Sequence, residues 1–166
     1  MHFVFRLVKL IFILEFGMTQ ASFAATATTS LPVSATVLSV CIGLTATPLA
    51  FGAYDPTSSS SNTNMNTITV QCTLNNSYSI ALNKGISSAG TVAMRKMTNG
   101  SNTLNYTVYT ASNYAVIWGD GTSGTSAVAG TGTGLPQNYD VFGLIPSRQT
   151  SIAGVYADII TVTVTY

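Results

Sequence analysis

The chain closes on a strict alternation: Ile160, Val162, Val164 and Tyr166 are separated by Thr161, Thr163 and Thr165. A period of two puts the apolar residues on one face and the threonines on the other. That is the pattern of a half-buried β-strand and not of an amphipathic helix. The same period recurs in residues 67 to 74, where Ile68, Val70, Cys72 and Leu74 share a face, and Tyr78 to Leu82 come after Asn75-Asn76-Ser77. Val92 to Met97 and Thr103 to Thr110 flank Asn99-Gly100, a dipeptide suited to turn positions with φ > 0, here in a loop longer than two residues. Ala115 to Trp118 reads as a further strand stopped by Gly119-Asp120-Gly121. About seven short strands, turn residues between them and no helical period predict an all-β antiparallel sandwich. The 166 residues allow one domain.

Charge is scarce, at 7% of residues. After residue 25, Lys84, Arg95, Lys96 and Arg148 balance Asp55, Asp120, Asp140 and Asp158, so nothing offers nucleic acid a basic footprint. The single His, His2, and the single Glu, Glu15, both precede that point. Residues 26 to 166 have four Asp, two Cys and hydroxyls for any chemistry, and no nucleophile has a visible base. No enzyme activity, cofactor or metal is therefore expected.

Residues 1 to 25 read as a secretory signal: Arg6 and Lys9, an apolar stretch over residues 10 to 18 interrupted by Glu15, then Ala21-Ser22-Phe23-Ala24-Ala25 as the cleavage region. The stretch is too short to span a bilayer, and no later run reaches 18 apolar residues. In an oxidising compartment the only two cysteines, Cys41 and Cys72, are expected to form one structural disulfide. Neither has the CxxC spacing or the neighbouring cation of a redox-active thiol.

Gly119 to Gly134 is almost wholly Gly, Thr, Ser and Ala and reads as a mobile loop or a long connection; Thr57 to Thr63 reads as another loop. The mature N-terminus is the anomaly. Leu31, Val33, Ala35 and Val37 alternate in a segment too apolar to be left in water. It is either the first strand of the domain's own sheet or an exported strand that completes a neighbour's sheet. Pro32, without an N–H, fits an edge or the start of a strand.

Several motifs resemble the spore coat protein U domain family. They are Phe51-Gly52-Ala53-Tyr54-Asp55, Cys72 after Ile68-Thr69-Val70-Gln71, Leu104 to Tyr109, Trp118-Gly119-Asp120-Gly121, Phe142-Gly143-Leu144-Ile145-Pro146 with Gln149, and Gly154 to Tyr166. They lie in the family's order and spacing over nearly all of the mature chain. The family includes pilins of archaic chaperone-usher pili, and the resemblance implies an immunoglobulin-like sandwich lacking its last strand and completed by donor-strand exchange. It implies a signal at residues 1 to 25, a donor-strand extension at 26 to 38 and a pilin domain at 39 to 166. Leu31, Val33, Ala35 and Val37 would be the donor residues, and Ile160, Val162, Val164 and Tyr166 would border the acceptor groove and bind the chaperone. Ala35 is small for a donor residue. The implied partners are neighbouring pilin subunits, a periplasmic chaperone and an outer-membrane usher. The implied location is the cell surface, reached through the periplasm, with a role in attachment and biofilm formation.

Two other classes compete. An eight-stranded outer-membrane β-barrel fits the length and the aromatic terminus, but most strands are shorter than a bilayer requires and paired aromatic girdles are missing. A stand-alone secreted lectin-like adhesin would use Tyr54, Tyr78, Tyr106, Tyr109, Tyr114, Tyr139 and Tyr156 as a sugar-binding surface, whereas such rings in a sandwich are more often core or cross-strand partners. Trp118 is expected in the core, and Asp55, Asp120 and Asp140 are expected to form turns in preference to a calcium site.

Overall fold

The computed structural model describes residues 24–166; of the expected signal, only Ala24 and Ala25 fall among them. Thr36–Tyr166 forms one compact unit, while residues 24–35 carry no regular structure and are exposed. All regular elements among the described residues are strands: β1 (Cys41–Ala46), β2 (Asn62–Cys72), β3 (Ser77–Leu82), β4 (Arg95–Asn99), β5 (Asn102–Tyr109), β6 (Val128–Thr131), β7 (Gln137–Ile145) and β8 (Val162–Thr165). They build a five-stranded sheet ordered β1-β2-β7-β5-β4 and a three-stranded sheet ordered β6-β3-β8. Every strand pairing is antiparallel. These are two open sheets, so the all-β sandwich is observed and the closed barrel is not.

The core follows from the alternation. Ile68, Val70 and Cys72 of β2, Tyr78, Ile80 and Leu82 of β3, Leu104, Tyr106 and Val108 of β5, and Val141 and Ile145 of β7 point into one cluster. Trp118 joins them, buried as expected, and its Nε1 donates to the Ile80 carbonyl at 3.0 Å. Cys41 and Cys72 are disulfide-bonded and stand opposite each other at the first residue of β1 and the last of β2. Beyond them β1 carries a bulge between Ile42 and Thr45, and Gly43 there takes φ +65°.

Several boundaries differ from the sequence reading. Leu74 is 64% exposed and not in the strand face, because β2 stops at Cys72 and the chain turns through Asn75 at φ +62°. Asn99 pairs with Asn102, so the β4–β5 loop has only two central residues, Gly100 and Ser101. Gly100 alone of the two has positive φ, as a type II′ hairpin requires. Residues 115–118 form no strand: Ile117 and Trp118 make isolated bridges to Tyr109 and Ser126. The Gly-rich stretch contains β6, whose Gly130 lies across from Tyr78. A Cβ there would run into the rings of Tyr78 and the hydroxyl of Tyr139, and the two hydroxyls meet at 2.6 Å.

The least expected core residue is Arg95, fully buried on β4. Its Nε donates to the Asn83 carbonyl at 2.8 Å, and its Nη2 to Trp118 O at 2.9 Å and Leu82 O at 3.2 Å. The guanidinium thus ties the five-stranded sheet to the end of β3 and to Trp118. Burial draws its pKa below the ordinary value, opposed by Tyr106, Asp158 and Asp120. Nη1 has no partner.

Arg95→Met keeps most of the volume but orphans three carbonyls, a loss that outweighs the relief of no longer burying a cation. It should lower stability by about 2–4 kcal/mol in urea unfolding. An unchanged midpoint would show that the guanidinium does not join the sheets. Replacing Cys41 and Cys72 together by serine releases a cross-link across a sequence separation of 31 and should cost about 3–4 kcal/mol, read in the same assay against the oxidised wild type.

Candidate functional site

Both sheets end on the same opening. β8 pairs with β3 through Ser79↔Thr165 to Leu82↔Val162 and, among the described residues, has no strand on its other side. β1 is the end strand of the larger sheet. Between the β8 side and the residues after β1 lies a cleft of about 230 Å³ reaching the core. Its lining includes Ala46, Leu49 and Phe51 on one wall, Ile160 and Val162 on the other, and Ile68, Leu82, Tyr106 and Val108 behind. A second cleft of about 610 Å³ lies alongside, lined by residues 49–54 and 151–156, and shares Leu49, Phe51 and Met97 with the first.

Beyond Ala46, the last residue of β1, the first wall is not a strand, yet it is firmly held. β2 opens with asparagines at period two, and their side-chain amides replace the missing backbone ladder. Asn62 Nδ2 donates to the carbonyls of Phe51 at 3.2 Å and Ala53 at 2.9 Å, Asn64 Nδ2 to Ala50 O, and Asn66 Nδ2 to Thr47 O. Gly143 then lets the wall approach β7: a Cβ there would stand 2.7 Å from both Leu49 Cδ2 and Phe51 Cζ. Phe51 meets Tyr106 edge-on, with ring centroids 6.2 Å apart.

The second wall is stitched by Asp158. Its Oδ2 accepts from the Tyr106 hydroxyl at 2.6 Å, and its Oδ1 from the Ile86 amide at 2.8 Å. Burial, and then this bond to the carboxylate, push the Tyr106 phenol up, so it stays a donor. Ala157 bridges Thr98 of β4 through 2.9 and 3.1 Å bonds, and Asn83 Oδ1 accepts from the Thr161 amide at 2.8 Å. The residues before β8 therefore cross from the larger sheet to the smaller one.

Of the residues singled out from the sequence, Ile160 and Val162 line the first cleft, and Val164 packs on the core. Tyr166 is 57% exposed and lines neither cleft. The regular strand is shorter than the alternation, covering 162–165 only. Leu31, Val33 and Val37 are 84%, 87% and 83% exposed, Ala35 is exposed too, and none of the four lies in a strand. Asp55 and Asp120 form turns, each Oδ1 accepting from the amide and hydroxyl of the threonine two residues on, which holds both carboxyls below their usual range. Asp140 accepts instead from Thr67 Oγ1 at 3.2 Å. Tyr54, Tyr78, Tyr106, Tyr139 and Tyr156 all have hydroxyl partners within the fold. Tyr109 and Tyr114 pack edge-on against each other, with centroids 5.4 Å apart. Sequence reasoning missed Leu49, Phe51 and Met97; the period-two asparagines were the available signal for the first two.

The spore coat protein U domain model matches residues 27–163. Protein U of Myxococcus xanthus is 34% identical over 157 residues, spanning 86% of this chain and 87% of that protein. A chain of the CsuC–CsuE chaperone–tip adhesion subunit pre-assembly complex, from archaic chaperone-usher Csu pili of Acinetobacter baumannii, aligns with a TM-score of 0.58 at 26% identity. That alignment covers 79% of this chain and only 40% of the other. On these matches the chain belongs to the spore coat protein U domain family.

Proposed function

We propose that the protein is a structural subunit of an archaic chaperone-usher pilus that polymerises by donor-strand complementation. One observation carries the reading: among the described residues β8 has no strand partner on its outer side, and that side flanks an apolar cleft reaching the core. An unpaired edge beside an apolar cleft is a site for β-augmentation. The occupant is the 26–38 segment of another subunit, whose Leu31, Val33, Ala35 and Val37 alternate as an inserted strand requires. Before assembly a periplasmic chaperone covers the same edge, with Ile160, Val162, Val164 and Tyr166 as its border, and an outer-membrane usher exchanges chaperone for subunit. The Acinetobacter neighbour, a chaperone–subunit pre-assembly complex, supports these partners.

Each donor Leu or Val buried in the groove contributes roughly 1.5–3 kcal/mol, with a smaller net amount from each backbone bond. No nucleotide or cofactor is needed for such an exchange. Each subunit gives a strand to one neighbour and accepts one from the other, so contacts are heterologous and propagate into a fibre. The subunit is secreted through the periplasm to the cell surface, where the fibre serves attachment and biofilm formation. A stand-alone lectin-like adhesin would have to close this edge itself, and β8 has no such partner among the described residues.

Val33→Asp places a charge in the buried donor face. In the mature chain co-expressed with its chaperone and usher, it should abolish the subunit ladders seen on unheated gels while leaving chaperone co-purification intact. Equal loss of both would place residue 33 in the subunit's own core. Deleting residues 26–38 should leave a folded monomer by gel filtration that forms no ladder; ladders from the truncated chain would overturn the donor assignment.

A further inference from the structure

The groove is two clefts with a shared boundary, and the candidate donor has one small residue among large ones. Leu49, Phe51 and Met97 line both clefts, so they stand as the partition between them. The partition is not free to fold away. Leu49 and Phe51 are seated against β7 where Gly143 omits a side chain, and the carbonyls around them, of Ala50 and Phe51, are held by Asn64 and Asn62. A strand laid along this groove meets room, obstruction and room.

The inward positions of the 26–38 segment read Leu31, Val33, Ala35, Val37. Same-face residues of a strand lie about 6.6–6.8 Å apart. Only one residue of the four lacks bulk beyond Cβ, and it has a valine on each side. We propose, on the donor-strand reading above, that Ala35 of the incoming subunit sits on the Leu49/Phe51/Met97 partition, with its Val33 and Val37 lodged one in each cleft. Ala35 is then the residue that fixes the register, since a slip by two would drive a valine onto the partition and leave a cleft underfilled. Sliding by one would turn the whole apolar face outward. The small residue that looks like a defect in a donor strand is the complement of an obstruction in the acceptor.

The test titrates the full mature subunit with synthetic peptides of residues 26–38, native and carrying Ala35→Leu, with complex stoichiometry read by native mass spectrometry and affinity by fluorescence anisotropy of the labelled peptide. The native peptide should bind one to one. The Ala35→Leu peptide should bind about 10- to 100-fold more weakly, as overpacking a fixed contact does. On a Leu49→Ala subunit, or on Met97→Ala should the first fail to fold, the order should reverse or level. Equal binding of both peptides to the wild type would overturn the register while leaving donor-strand insertion standing. Weak binding of the Ala35→Leu peptide that neither subunit variant relieves would overturn the partition. No binding of the native peptide to any subunit would overturn both this register and the reading it rests on.

Discussion

The unsatisfied outer edge of β8 is the constraint to which the rest of the structure answers. A three-stranded sheet ordered β6-β3-β8 faces a five-stranded one, and the cleft beside β8 reaches in as far as Leu82, Tyr106 and Val108, which are themselves buried. A small domain that leaves part of its core open loses hydrophobic stabilisation from an already narrow margin. The compensation is polar and cross-sheet. Arg95 directs its donors to carbonyls at the end of β3 and at Trp118, and Asp158 ties the approach to β8 to Tyr106 of β5 and to Ile86. These bonds join the two layers directly.

The two walls of the groove are built by different means for a physical reason. The wall of Asp158 and Ile160 runs into β8, which at Val162 begins to pair with β3 along one side. The opposite wall presents Leu49 and Phe51 to the groove from a segment outside the regular strands. Asparagine amides from Asn62, Asn64 and Asn66 satisfy its carbonyls without imposing a strand's pleat.

The period-two signal made the sheets legible because one face of each strand is buried: Ile68-Val70-Cys72, Tyr78-Ile80-Leu82 and Leu104-Tyr106-Val108 alternate in sequence and point inward in the fold. Legibility failed where a residue's role depends on a distant partner. Nothing local distinguishes Arg95, a charged residue in a core position, because its acceptors lie 12 to 23 residues away. β6 hides in a glycine run because Gly130 must admit the Tyr78 ring and the Tyr139 hydroxyl, so the residue that permits the strand also lowers its propensity. Trp118 was legible as a core residue but not as part of a bridge, since its indole fills the core while its carbonyl accepts from Arg95. The apolar wall of the candidate groove was legible in Ile160 and Val162 and illegible in Leu49, Phe51 and Met97, which only the tertiary arrangement brings together.

Scarcity of charge fits a groove whose contacts are apolar and backbone in kind. With four cations balancing four anions after residue 25, and Arg95 buried among them, little long-range field steers partners together. Specificity in such a site has to come from shape and register instead of from charge pairing. A continuous smooth channel would accept any alternating strand in several registers, whereas on the proposed register the boundary at Leu49, Phe51 and Met97 selects a strand whose small residue falls there. On the proposed register, the partition is what would let a groove with so little charge discriminate.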